Sequence, residues 1–240
     1  MKFGVKTYNS EEFLDKFVEK SDFFEVQAIR GKDYSFLKKY NKEIVIHCEH
    51  QGFGVNIANS NDLKNSIGAI NFAKMLADEV GSKKIVIHPG HIEDENCSIN
   101  NSIDFLNNYC DKRFVIENMP LMGAKDGNFR IGSSVEDMKL LLDETNLGFC
   151  FDINHAIEYS LKQELDYWKV IQEFEGLNPN HYHLGGEKIP EGISHISFCN
   201  SNLDLKKVFS LISWKAEITL EVGMDEKEVR EDLKLVQRFN

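Results

Sequence analysis

Six strand-like segments of this chain end in, or next to, a residue that could bind a metal. These residues are His47, His88, Glu117, Asp152, His183 and Glu221. Short apolar runs such as Ile-Val-Ile before His47 and His88 are typical of buried strands, so each run would deliver its last side chain at one end of a sheet. Imidazole and carboxylate together suit zinc, manganese or iron better than calcium. The pattern therefore predicts a site for divalent metal ions, with zinc as the first candidate.

Two further histidines lie close to this set in the sequence. His155 follows Asp152 by three residues, and we expect it on a loop just above the site. His195 would reach in from the long segment after the seventh strand. A lone histidine at a strand end is more often a hydrogen-bonded structural residue than a ligand. We expect such a structural role for His50, His91 and His181.

Strand-like and helix-like patterns alternate along the whole chain. Apolar runs predict eight strands, at 2–8, 23–29, 43–48, 84–88, 113–117, 147–152, 180–184 and 216–221. Helical periodicity predicts eight helices, at 11–20, 34–40, 62–80, 102–110, 134–145, 164–175, 203–212 and 226–239. Eight such units predict a single α/β domain, a closed (β/α)8 TIM barrel over residues 1–240. An open doubly wound sheet is less favoured, because the turn after the first strand (7–10) has no glycines.

The barrel explains why ligand-type residues stand at strand ends. In a (β/α)8 fold the carboxyl ends of the strands surround one mouth, and active sites are built there. The side chains of the six residues would therefore converge on one site at the mouth of the barrel, a cup formed by the strand ends. Glu25 and Gln27 on the second strand would line the barrel or contact substrate, and Arg30 with Lys32 would offer positive charge at the mouth.

Composition limits the class of protein. The chain has 240 residues, 42% of them hydrophobic, and a net charge of −11. No run approaches the ~20 apolar residues of a membrane span, and the start of the sequence has no signal-peptide pattern, so we expect a cytoplasmic protein. The acidic balance disfavours a large basic nucleic-acid surface, although bound cations can reverse the sign in a cleft. Five cysteines without a Cys-x-x-Cys pair indicate reduced thiols rather than disulfides.

The ordered strand-end blocks resemble the xylose isomerase-like TIM-barrel superfamily, and within it most of all endonuclease IV, a metal-dependent apurinic/apyrimidinic endonuclease. The most specific block is Gly148-Phe-Cys-Phe-Asp152-Ile-Asn-His155-Ala. The other blocks occur in the order expected of that family: His88-Pro-Gly, Ile116-Glu117-Asn118, His183-Leu and Leu220-Glu221. The resemblance covers the chain from His47 to Glu221.

The resemblance implies three groups of metal ligands. A first ion would lie between His47, His88 and Glu117. A second would be held by the bridging Glu117 with Asp152, His183 and Glu221. A third would need His155, His195 and an aspartate two residues before His195. That last position holds Ile193, so we expect the third site to be empty or weakly occupied unless Glu187 or Glu191 supplies the acid.

Two enzyme classes remain open, beside a third possibility, a degenerate barrel that binds metal or a small ligand without turnover. A carboxylate that bridges two ions is suited to hydrolysis of a phosphodiester, with abasic sites in DNA as the candidate substrate that the resemblance implies. A single ion on the four-residue group would instead resemble the sugar isomerases and epimerases of the superfamily, in which two glutamates exchange protons with carbon. The candidate catalytic residues are Glu117, Glu221 and His155, and the candidate substrate contacts are Gln27 and Arg30. His47 and His88 favour the hydrolase, because a second ion needs them and sugar chemistry does not.

Overall fold

A computed structural model of the chain, which describes residues 1–61 and 63–239, is a closed barrel of eight parallel strands. The strands are β1 Lys2–Thr7, β2 Phe23–Gln27, β3 Glu43–His47, β4 Ile85–Ile87, β5 Phe114–Glu117, β6 Gly148–Asp152, β7 His181–Leu184 and β8 Glu217–Leu220. They follow one another around the barrel in chain order, and β8 closes it by pairing with β1. The predicted (β/α)8 barrel and all eight predicted strands are confirmed.

Helices connect the strands on the outside of the barrel. They are α1 Glu11–Asp15, α2 Leu63–Val80, α3 Ile99–Asn108, α4 Val135–Thr145, α5 Ile153–Lys162, α6 Tyr167–Glu175, α7 Leu205–Leu211 and α8 Glu226–Val236. Serine hydroxyls cap three of them: Ser10 accepts from the amide of Phe13, Ser98 from the amide of Asn101, and Ser134 from the amide of Asp137. Each bond satisfies an amide in the first turn, which has no carbonyl partner within the helix. Asp62, the predicted start of α2, lies outside the described residues.

The structure differs from the sequence prediction in two predicted helices, one missed helix and two missed hairpins. The pattern at 34–40 forms a short 3-10 helix, Ser35–Lys39, and the pattern at 11–20 ends early, at Asp15. Helix α5 was missed, because it begins directly after β6 with no loop to mark it. Two short hairpins were also missed: His91–Ile92 pairs with Phe129–Arg130, and Gly186–Lys188 pairs with Ile193–Ile196.

Alternation along the strands sorts the side chains into two sets. One face of the strands packs beneath the helices in a large apolar core, for example Ile44 and Ile46 of β3. The other face fills the barrel, where a smaller cluster contains Phe23, Val45, Val86, Val115 and Cys150. The residue two positions after each of the last four is a predicted metal ligand, because side chains two apart point the same way. The strand period thus places apolar residues low in the barrel and ligand-type residues at its mouth.

Close packing inside the barrel requires a glycine in β1. A Cβ atom at Gly4 would overlap the ring of Phe23, which occupies that space. Since Phe23 has almost no exposed surface, any larger residue at this position would displace it.

Among the described residues, no helix combines the length and the apolar character needed to cross a membrane.

Candidate metal centre

The barrel brings the six predicted strand-end ligands together at its mouth. His47, Glu117 and Asp152 are the last residues of β3, β5 and β6, and His88 and Glu221 directly follow β4 and β8. His183 lies within β7. Parallel strands end at the same face, so these side chains share one cup. Four of the six are almost fully buried: His47, Glu117, Asp152 and His183.

His47 and His88 converge on one oxygen atom. The Nε2 atoms of His47 and His88 lie 3.2 and 3.1 Å from Oε2 of Glu117. Their other ring nitrogens are held from behind: Nδ1 of His47 lies 2.8 Å from the Cys48 carbonyl, and Nδ1 of His88 lies 3.0 Å from Oε1 of Gln51. Such outer bonds fix which ring nitrogen faces the site. The three facing atoms lie within 4.8 Å of one another and could hold one metal ion.

A second group shares Glu117 with the first. Ligand atoms of Glu117, Asp152, His183 and Glu221 all lie within 4.8 Å of one another. Nδ1 of His183 is 2.8 Å from Oε2 of Glu221, but the two atoms do not have hydrogen-bond geometry. Together with Oδ2 of Asp152, they are buried and have no hydrogen-bond partner among the described residues.

Three buried polar atoms without a hydrogen-bond partner in one small space indicate a site for a cation. A buried polar atom without a partner costs about 1–3 kcal/mol, and here three such atoms face one another. A divalent ion would satisfy all three at once, and the mixed imidazole and carboxylate donors suit zinc, manganese or iron. The residues therefore fit a metal centre in which Glu117 belongs to both groups.

The electrostatics of the cup are consistent with this arrangement. Burial lowers the pKa of His88 to about 4, which leaves its imidazole neutral and able to bind metal at neutral pH. Burial raises the pKa of Glu117, but attraction to His183 and the contacts with the imidazoles of His88 and His47 outweigh this and hold it well below its ordinary value. Glu117 is thus an anion shared between histidines from three different strand ends.

A third group contains Asp152, His155 and His195. His155 lies in the first turn of α5, not on a loop as expected, because the Asp152 side chain caps that helix by accepting from the amide of His155 at 2.9 Å. His195 lies in the short strand Ile193–Ile196, where its φ of 55° turns the backbone. The two imidazole rings are 5.2 Å apart. Burial lowers the pKa of His195, but the carboxylates of Asp152 and Glu221 raise it above its ordinary value.

The acid in this third group differs from the one that the sequence suggested. Asp152 joins the two histidines, so the group has three members rather than the two we expected. Ile193 is half exposed at the start of its strand. Glu187 is fully buried nearby, but its Oε2 accepts from Asn154 at 2.9 Å, and it is outside the group that could hold an ion. Burial raises the pKa of Glu187 to about 7.

A cavity of about 520 Å³ opens above the three groups. Gln27 lines it, as expected, and its amide donates to the Cys48 carbonyl at 2.6 Å. The segment between β5 and α4 forms one wall, with Met119, Lys125 and Arg130 among its contributions. The cavity is large enough for a small phosphate ester or a sugar.

The structure does not bring Arg30 to this cavity. Its guanidinium pairs with Glu49 at 2.5 Å and with the Asn65 side chain at 2.6 Å. The prediction that Arg30 contacts substrate is therefore not supported, because its charge is already used to fix the segment after β2. Lys32, the other cation predicted at the mouth, is exposed.

The cation at the floor of the cavity is Lys6, which the sequence analysis missed. Its Nζ lies 3.0 Å from Glu221 and 3.3 Å from Glu25, and it lines the cavity. A lysine inside the otherwise apolar first strand was a signal that could have pointed to it.

The three remaining histidines have structural contacts. His181 is fully buried below the site and bonds to Glu25 and Thr219. With Cys150 and His183 it also forms a fourth group whose ligand atoms lie within 4.8 Å of one another. His91 lies beside Glu93, with its Nε2 3.3 Å from that carboxylate. His50 accepts from the amide of Gly52, but its ring also stacks on His88 at 5.0 Å and lines the cavity.

Comparison with known proteins agrees with this fold. The family model described as xylose isomerase-like TIM barrel matches residues 34–239. The chain belongs to the xylose isomerase-like TIM-barrel family. A curated relative from Staphylococcus carnosus (strain TM300), "Probable endonuclease 4", is 26% identical over 227 residues, which cover 82% of this chain and 74% of the relative.

Solved structures with names that imply different activities have the same fold. A D-tagatose 3-epimerase-like protein superposes with a TM-score of 0.75 at 20% identity, over 100% of this chain and 97% of the other. Endonuclease IV from Thermus thermophilus superposes with a TM-score of 0.71 at 16% identity, over 100% and 98%. At these identities the likeness shows the fold alone, so function has to be argued from the residues of the site.

Proposed function

We propose that this protein is a metal-dependent phosphoester hydrolase that resembles endonuclease IV. The observation that carries the proposal is the position of Glu117, whose carboxylate faces His47 and His88 on one side and belongs to the four-residue group on the other. Two ligand groups that share one carboxylate are suited to a pair of ions ~3.5–4 Å apart, the arrangement of many phosphoester hydrolases.

The residues of the cup would have distinct roles in this reaction. Divalent ions held by the two groups would supply Lewis acidity, which stabilises negative charge on phosphoryl oxygens and acidifies water. Glu117 and Glu221 would hold that water and orient it toward phosphorus, since both carboxylates face the cavity. His155 and His195 lie beside Asp152, where they would donate hydrogen bonds to a phosphoryl oxygen or to the leaving oxygen.

A sugar isomerase or epimerase is the second candidate. The observation that favours it is that Glu117, Asp152, His183 and Glu221 form a complete ligand set without the other histidines. In such an enzyme, Glu117 and Glu221 would exchange a proton with a sugar carbon. His47 and His88 would then have no metal role, and their replacement would leave activity largely intact.

One experiment separates the two candidates. The zinc- and manganese-loaded protein would be incubated with duplex DNA that carries an abasic site, with a small aryl phosphodiester, and with a panel of ketohexoses and aldoses. We expect phosphodiester cleavage that chelators abolish. His47→Ala should lose this activity, whereas His91→Gln, a histidine outside the ligand groups, should retain it. Epimerisation of a sugar with both phosphodiesters intact would refute the hydrolase.

A further inference from the structure

Four charged or imidazole side chains form a closed ring beneath the metal centre. Nζ of Lys6 contacts one oxygen of Glu25 at 3.3 Å and one oxygen of Glu221 at 3.0 Å. His183 contacts the remaining oxygen of each carboxylate: its Nε2 lies 3.0 Å from Glu25 and its Nδ1 lies 2.8 Å from Glu221. Each carboxylate therefore has one oxygen near the lysine and the other near the histidine, although Oε1 of Glu25 and the facing Nδ1 and Oε2 atoms of His183 and Glu221 have no hydrogen-bond partner among the described residues.

The ring follows from the register of four neighbouring strands. Lys6 of β1 stands directly opposite Glu25 of β2, and His183 of β7 stands opposite Thr219 of β8. The side chains of these four residues point into the barrel, and Glu25 has no exposed surface. The hydroxyl of Thr219 adds a further bond to Glu25, at 2.7 Å. Such a buried carboxylate would be costly without these partners.

Glu25 belongs to none of the groups that could hold metal ions, yet it touches His183, a member of the four-residue group. The contact at Nε2 of His183 leaves Nδ1 as the ring nitrogen that faces Asp152 and Glu221. A histidine that binds metal through one nitrogen commonly donates its other N–H to a carboxylate, which fixes the orientation of the ring and increases its basicity.

We propose that Glu25 is a positioning residue of the metal centre. Its carboxylate accepts a hydrogen bond from Nε2 of His183, which leaves Nδ1 of that ring as the metal ligand. Lys6 holds Glu25 and Glu221 in place. The proposal rests on the metal-binding part of the proposed function. It assigns a role in metal affinity to a residue that contacts no ion and no substrate. Loss of a comparable partner typically weakens metal binding about 10- to 100-fold.

Glu25→Gln tests this role, because it keeps the size of the side chain and removes its charge. Zinc affinity would be measured by competition with a chromophoric chelator in the His47→Ala background, where the four-residue group is the main site. We expect the affinity to fall about 10- to 100-fold. Thr219→Val is the matched control: it removes another bond to the same carboxylate but leaves His183 untouched, so its affinity should equal that of the parent.

A spectroscopic measurement on the unmodified protein covers the case in which Glu25→Gln does not fold. Long-range ¹H–¹⁵N correlation spectra of the zinc-loaded protein should show Nδ1 of His183 bound to metal and Nε2 carrying a slowly exchanging proton. Metal bound at Nε2, or equal affinities for Glu25→Gln and its parent, would overturn the proposal. Failure of the wild type to bind any zinc would instead refute the proposed function itself.

Discussion

Removal of metal should strongly destabilise this protein, because the buried polar groups at the barrel mouth lack partners when no cation is bound. Asp152, His183 and Glu221 each have a buried polar atom without a hydrogen-bond partner among the described residues. The carboxylates of Glu25 and Glu117 are buried in the same region. An ion that binds the folded chain and not the unfolded one transfers its binding free energy to folding.

The size of the effect follows from the number of sites. At a free metal concentration ~1,000 times Kd, each ion adds about 4 kcal/mol to the free energy of unfolding. In a chain of this length, 1 kcal/mol corresponds to roughly 2–4 °C in Tm. One ion is therefore worth on the order of 10 °C and two ions on the order of 20 °C. We expect two ions, because Asp152, the acid of the third group, is shared with the second.

Elemental mass spectrometry and calorimetry on the same samples test this reasoning. The wild type should hold about two ions and lose most of the expected Tm shift when it is dialysed against a chelator. His47→Ala should lose one ion and about half of the shift, and Glu117→Gln should lose both ions. His91→Gln is the control, with two ions and the full shift. A protein that binds two ions but melts at the same temperature without them would refute the argument, and so would loss of both ions in His47→Ala.

Two further predictions concern position 193, where an acidic residue is absent, and Glu217, which is paired with two lysines. Ile193→Asp should raise the metal content by up to one ion per chain and increase phosphodiester cleavage, because it places a carboxylate two residues before His195; unchanged metal content would contradict this. At the opposite end of the barrel, burial raises the pKa of Glu217, but its bonds to Lys2 and Lys84 outweigh this and bring it to about 2. Because this pKa is lowered on folding, its stabilisation is complete above the unfolded value of about 4.5 and is lost as the pH falls towards 2. Glu217→Gln should therefore lower the free energy of unfolding, measured with urea, by about 2 kcal/mol at pH 7, after a discount for the exposed Lys2. The loss should become progressively smaller below pH 4.5. A loss that is independent of pH would contradict the prediction.

The sequence by itself determined the architecture and the six candidate ligands at the strand ends. Both rest on local patterns, because the period of two along a strand and the burial of parallel strands are visible in residues such as Ile44 to His47. Eight such runs separated by helical patterns leave few arrangements other than a barrel. The ends of the runs then specify which side chains meet, since all strands of a parallel barrel end at the same face.

Helix α5 was predictable and was missed. Its buried residues Ile153, Ala156, Ile157 and Ser160 repeat at helical spacing. The signal was hidden because Asp152 ends the strand and caps the helix, so no turn residues separate the two elements. The same transition places His155 beside Asp152 on the first helical turn, which is why that histidine belongs to a ligand group.

Only the tertiary structure decided which side chains share a partner. Lys6 and Glu25 are far apart in sequence from His183 and Glu221, and their ring exists because β1 pairs with both β2 and β8 and so closes the barrel. Asp152 belongs to two groups, and Arg30 pairs with Glu49 rather than lining the cavity. Both facts likewise depend on distances between side chains from different strands and loops. A local pattern specifies where a side chain points, but its neighbours across the barrel are set by register and closure, which no single segment of the sequence contains.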